Sequence, residues 1–207
     1  MRSQDFEFIS AIGIVLFQHS MSTLVELFNA AHIEVPEILS NWEDQVQNWC
    51  RDYENEHSDA EISEINIDCS VFLFDHGAER VVLAYAVSVE QLMQRDKSRM
   101  QGFPDVKISE QVSKGNKKLV ADKGHFLGHA SGGSLDINLF PHHRDLNQGW
   151  SAEGKRFRSM ERYVAEHPGT FFYHRPIYDD DTWIPANLEY GLLVENKEWW
   201  VDTFKNS

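Results

Sequence analysis

The sequence predicts an α+β fold on three observations. Runs rich in β-branched and aromatic residues recur in both halves of the chain: ISEINIDCSVFLF, ERVVLAYAVSV, TFFYHRPIY and NLEYGLLV. Two segments, 36–57 and 150–167, place their apolar residues at helical spacing instead. Between 117 and 167 the order is strand, turn, strand, helix, with more strands after it. Hairpin-like joins between neighbouring strands favour a mixed or antiparallel sheet.

In chain order, DFEFISAIGIVLF (5–17) reads as a strand. MSTLVELFNAAHIEV (21–35) reads as a helix through Leu24, Val25, Leu27 and Phe28, interrupted at Pro36. The next segment starts with that proline and puts Ile38, Leu39, Trp42, Val46, Trp49, Cys50 and Tyr53 on one helical face. Two strands follow, ISEINIDCSVFLF and ERVVLAYAVSV, joined as a hairpin by DHGA. EQLMQRDKSRMQ (90–101) reads as a short helix and residues 102–117 as a loop. KKLVADKGHFLGH is a strand, SGGS a turn, and LDINLFP a second strand stopped by Pro141. The helix of 150–167 has Trp150, Phe157, Met160, Tyr163 and Val164 as its apolar set and ends at His167-Pro168-Gly169. Strands TFFYHRPIY and NLEYGLLV flank a turn containing DDDTWIP. Residues 1–109 form a helix-and-hairpin extension, either a unit of its own or integral to the same domain as 110–207.

The chain's 207 residues suffice for one good-sized domain, and 42% apolar with 25% charged residues is globular composition. No apolar run approaches membrane-spanning length, and Ile9–Phe17 lacks the flanks of a Sec-type signal. No membrane partner is expected. The location expected is cytoplasmic, or outside the cell by a route that needs no signal peptide. Cys50 and Cys69 are too few for a disulfide framework and fit a reducing compartment. A net charge of −14 by itself argues against nucleic acid as a partner. Its distribution argues otherwise: residues 1–109 carry −12 and 171–207 carry −4, whereas 110–170 carry +2.

The basic segment contains DKGHFLGHASGGSLDINLFPHHRDLNQGW, residues 122–150. Hydrolysis of a phosphodiester needs a base to activate water, a hard cation to neutralise phosphate charge, and cationic side chains to hold the substrate. Histidine suits the base because its pKa lies near neutrality. Mg²⁺ keeps several waters, so one protein oxygen such as an asparagine carbonyl can suffice. The stretch supplies His125, Asn138 and Asn147. The following helix supplies Glu153 and Glu161, and Lys123, Arg144, Arg158 and Arg162 are the nearby cations.

DKGH, then NLFPHHRDLNQGW, then a helix with RSMERYV resembles the non-specific DNA/RNA endonucleases of the ββα-metal (His-Me finger) class. That family's signature is an Asp-Arg-Gly-His strand end, an Asn-Leu/Ile-x-Pro/Thr-Gln-like segment, and an Asn-Gln nine residues after its Asn. Asn138 and Asn147 are nine apart here, and LNQG is intact. The resemblance covers roughly residues 112–194. It implies a ββα-metal nuclease core in which His125 is the general base and Asn147 the direct ligand of one divalent cation, Mg²⁺ or Mn²⁺. It also implies that Asn138 orients the histidine or the scissile phosphate, that Glu161 holds metal-bound water, and that Asp122 braces the turn presenting His125. Lys123, Arg144, Arg158 and Arg162 would bind substrate. Two departures stand out. Lys123 replaces the family's arginine and loses its bidentate fork. The longer interval to the helix glutamate, with SAEGKR inserted, leaves Glu153 as the rival of Glu161. Small nucleases of this kind resemble bacterial toxin or effector domains, which implies an inhibitor or immunity protein as a partner.

Two other readings stand beside the nuclease. One is a non-catalytic adaptor on a degenerate nuclease fold. The other is a zinc protein using His125, His129 and the His142–His143 pair. Glycines at 124, 128, 132 and 133 argue against a helix that would pair His125 with His129, so His129 is expected at the surface or behind the site. His142 and His143 are expected in solvent, and His174 in the core or at the surface. Trp199 and Trp200 are read as packing or oligomer-contact residues.

Overall fold

A computed structural model describes residues 23–90, 121–134 and 137–207. The strand expected over 5–17, the loop over 102–117 and all but Glu90 of the helix over 90–101 lie outside the described residues. In chain order the elements are α1 (23–30), α2 (Trp42–Glu56), β1 (Ile62–Ile67), β2 (Ser70–Asp75), β3 (Arg80–Val87), β4 (Ala121–His125), β5 (Leu139–His143), α3 (Arg144–Asn147), α4 (Ala152–Glu166), β6 (Phe171–Ile177), β7 (Asn187–Val194) and β8 (Glu198–Lys205).

Six strands form one antiparallel sheet in the order β1-β2-β3-β6-β7-β8. The β3–β6 pairing, with Tyr85 opposite Tyr173, joins strands from the two halves of the sequence in a single sheet. Both faces of its central strands are covered, which is why those strands read as nearly unbroken apolar runs. Alternation with period two sends Val71, Leu73, Leu83, Tyr85, Phe171 and Leu193 into one core, against α1 and α2. Phe72, Ala84, Ala86, Phe172, Leu192 and Tyr190 enter the other, against β4, β5 and α4. The sheet is therefore the middle of three layers.

On the first face, α1 buries Leu24, Leu27 and Phe28, and α2 buries Trp42, Val46, Cys50 and Tyr53. Trp42 is the centre of this layer, its ring 4.8 Å from Phe171, 5.3 Å from Tyr173 and 5.4 Å from Tyr85. Ile38, assigned to the same apolar face by spacing, is exposed in the 3₁₀ turn before α2. Behind α2, buried Arg80 donates to the Tyr53 hydroxyl, which donates to Asp75; Arg80 also donates to the carbonyls of Asp180 and Thr182. Asp180 in turn accepts from the Thr182 amide and hydroxyl, so this part of DDD builds the turn.

Three sequence expectations need correction. ISEINIDCSVFLF is two strands, because Asp68 takes a positive φ of 53° and the chain reverses at Asp68-Cys69. Pro141 does not stop its strand: β5 runs on to His143, with Pro141 opposite Lys123 in a two-stranded ladder. Trp150 is not in the apolar set of α4; it precedes Ser151, whose side chain caps the helix by accepting from the Gly154 amide, and it is 66% exposed. EWWVDTFK, to which the sequence patterning assigns no element, is the strand β8; Trp199 packs toward the α2 layer and Trp200 toward the α4 layer, in line with the packing role expected of them.

The outer edge of β5 is closed by a side chain. Buried Asn206 accepts from the His143 amide at 2.7 Å and donates to the carbonyls of Pro141 at 3.0 Å and Pro185 at 2.8 Å. Its amide thus supplies a strand neighbour's hydrogen bonds where, among the described residues, no third strand lies.

Candidate active site

The strand β4 carries Asp122, Lys123, Gly124 and His125, and β5 runs antiparallel to it. The two strands approach closely because residue 124 has no side chain: a Cβ there would lie 2.4 Å from the His142 Cβ. The chain then forms α3 and α4, which are also jammed together. A Cβ on Gly154 would lie 2.4 Å from the Asp145 carbonyl oxygen, so only glycine lets the first turn of α4 rest on α3. Phe157, Met160 and Val164 anchor α4 to the sheet. An adjoining side of that helix faces the hairpin across a cleft of about 480 Å³.

Lys123 and His125 from β4, Asn147 and Gln148 from the end of α3, and Arg158, Glu161 and Arg162 from α4 all line this cleft. Gly128, His129, Ala130 and Ser131 complete its wall. Of the two rival helix glutamates, Glu161 borders the cleft, whereas Glu153 sits in the first turn of α4 and is not among the lining residues. Arg158 donates to Glu161 at 2.8 Å, three residues along the same helix.

Asp122 organises the floor. Its carboxylate accepts from Arg144 Nε at 2.8 Å, Gln148 Nε2 at 2.7 Å and Asn147 Nδ2 at 3.3 Å. Burial alone would raise its pKa; the hydrogen bonds from Gln148, Arg144 and Asn147 outweigh that and hold it below the usual carboxylate value. Donation to this carboxylate fixes which end of the Asn147 amide is nitrogen, leaving its carbonyl oxygen as the other end. An amide oxygen has two lone pairs to offer.

Two residues assigned to the site by sequence lie elsewhere. Asn138 does not reach His125 or the cleft. It is fully buried, accepts from the Leu127 amide at 2.7 Å, and donates to the carbonyls of Leu127 and Ser134 at 2.7 Å each. Its amide is consumed in bracing the loop that follows His125. Arg144 is not a cleft cation either, because its guanidinium is turned to Asp122.

The histidines sort in an unexpected way. His142 is buried, its ring 4.9 Å from both Phe140 and Phe157, because β5 points alternate side chains inward. Burial, with a further contribution from His143, pushes its pKa down to about 3 and keeps it neutral. His174 is buried against Tyr190 at 3.9 Å, and burial lowers it likewise to about 3. His129, expected at the surface or behind the site, lines the same cleft as His125. Its signal in the sequence was the spacing in HFLGH, which a turn delivers to the same side as a helix would have done.

No protein-family model matches the chain, and no curated protein shows significant similarity to it. Among the described residues no helix is long and apolar enough to cross a membrane.

Proposed function

We propose that this cleft hydrolyses the phosphodiester bonds of DNA or RNA, as a metal-dependent endonuclease with little sequence preference on a ββα-metal core. The observation that carries the reading is convergence: Lys123, His125, Asn147, Arg158, Glu161 and Arg162, from three separate elements, meet on one cleft. The hairpin-then-helix order of β4, β5 and α4 supports it. So does the distribution of charge. On the opposite face of the sheet, α2 carries Glu43, Asp44, Asp52, Glu54 and Glu56 against Arg51 alone, whereas α4 carries Lys155, Arg156, Arg158 and Arg162 against Glu153, Glu161 and Glu166.

His125 takes the proton from the attacking water. Lys123, Arg158 and Arg162 hold the substrate's phosphates, contacts that position nucleic acid without reading its bases. The oxygen donors fit one hard divalent cation, Mg²⁺ or Mn²⁺, which Asn147 would ligate directly and whose waters Glu161 would hold. When bound, such an ion neutralises charge that develops on the phosphate and the leaving oxygen. Asp122 keeps the Asn147 carbonyl in register with that role. An activity of this kind endangers the cell that makes it, so an inhibitor or immunity protein is the partner we infer for a toxin or effector. A His-ligated zinc site finds less support: among the described residues, no three His, Cys, Asp or Glu side chains converge as a ligand set.

Digestion of plasmid DNA and of RNA with Mg²⁺, Mn²⁺ or EDTA tests this, comparing wild type with His125→Ala. The expected result is cleavage that needs the cation and is lost in the variant. Undiminished cleavage by His125→Ala would remove the proposed base. Inactivity with every cation would favour the non-catalytic adaptor.

A further inference from the structure

We infer that His129 is a second catalytic residue of this cleft, the general acid that protonates the leaving 3′ oxygen; the inference rests on the nuclease reading above. His125 stands at the end of β4. His129 opens a 3₁₀ turn, His129–Ser131, that packs against α4, the helix carrying Arg158, Glu161 and Arg162. Strand end and turn both deliver their histidines to the cleft. The His129 Nδ1 is enclosed with no hydrogen-bond partner among the described residues, which leaves Nε2 as the nitrogen able to exchange a proton with the cleft. Beside these two histidines, the ionisable side chains lining the cleft among the described residues are Lys123, Arg158, Arg162 and Glu161. Lysine, arginine and glutamate as residue types do not ordinarily exchange a proton near neutral pH. Histidine can hold a proton and release it in that range.

The step balances. A water oxygen forms a bond to phosphorus as His125 removes its proton, and the bond from phosphorus to the 3′ oxygen breaks. The electron pair of that bond goes to the oxygen, which takes the proton from the His129 imidazolium. The products are a 5′-phosphomonoester and a 3′-hydroxyl, and both rings return to their starting states by exchange with solvent.

A leaving group that needs no proton isolates this role. Wild type, His129→Ala, His129→Asn and His125→Ala are compared on DNA and on bis(p-nitrophenyl) phosphate, whose p-nitrophenolate departs unassisted. Both His129 variants are expected to lose roughly 10²–10⁴-fold on DNA and to hydrolyse the nitrophenyl diester nearly as well as wild type. His125→Ala is expected to lose both activities. Asparagine suits a turn, so that variant, with melting curves for each protein, separates a lost proton donor from a lost fold. His129 variants that fold and either cut DNA normally or lose both substrates equally overturn the assignment. Wild type inactive on both substrates overturns the hydrolase reading itself.

Discussion

The Asp122 carboxylate accepts a hydrogen bond from Asn147 Nδ2 across 3.3 Å, tying the start of the β4–β5 hairpin to the last residue of α3. One contact thereby fixes both the orientation of the proposed metal-ligating amide and its distance from the strand that ends in His125. Asp122→Ala removes this anchor. Mn²⁺ affinity, measured by titration calorimetry, is expected to fall by roughly 10–100-fold, the usual consequence of losing a partner that orients a ligand. Arg144→Ala breaks the other arm of the same carboxylate and is expected to leave the affinity close to wild type. Equal effects from the two variants would sink this account.

Asn138 is expected to behave as a structural residue. Asn138→Leu leaves the Leu127 amide, the Leu127 carbonyl and the Ser134 carbonyl without their side-chain partner. Unsatisfied buried groups cost about 1–3 kcal/mol each, and relaxation of the loop recovers part of that. A loss of about 3 kcal/mol in chemical denaturation is the expected outcome. A variant within about 0.5 kcal/mol of wild type, the range of ordinary surface changes, would show that the bracing contributes little.

His174 links stability to pH. Its pKa is lowered from 6.5 to about 3 in the folded protein. Between those values the unfolded chain binds a proton at this position and the folded protein does not, so stability falls as pH falls. The limiting slope is about 1.4 kcal/mol per pH unit for one such group. The contribution is intact above pH 6.5 and is lost progressively below it. His142, lowered likewise to about 3, acts over the same window, whereas Asp75 and Asp122, whose pKa values lie below the ordinary carboxylate value, act lower in the scale. His174→Phe is expected to flatten the dependence of melting temperature on pH between about 6.5 and 4. An unchanged slope would count against a buried neutral histidine.

The sequence revealed the fold best where periodicity had one physical cause. Trp42, Val46, Cys50 and Tyr53 of α2 and Phe157, Met160 and Val164 of α4 are buried where helical spacing puts them. It misled where one residue type serves two ends. Proline usually ends a strand, but Pro141 continues β5 because its backbone faces the outer edge, toward Asn206, where no bond to β4 needs its missing N–H. Asn138 and Asn147 look alike in the sequence and are nine residues apart. One lies inside the loop with every polar atom committed, the other at the cleft with its nitrogen held by Asp122. Only three-dimensional packing distinguishes them. The histidines show the same limit. Composition marks the whole stretch as histidine-rich, whereas strand alternation buries His142 and a 3₁₀ turn brings His129 to the cleft.

Asn206 makes the site depend on a residue far from it in sequence. Among the described residues the cleft is lined no later than Ala165, yet the backbone groups on the outer edge of β5 find their partner only in Asn206, after β8. Loss of that one side chain would strip the His143 amide and the Pro141 carbonyl of these bonds.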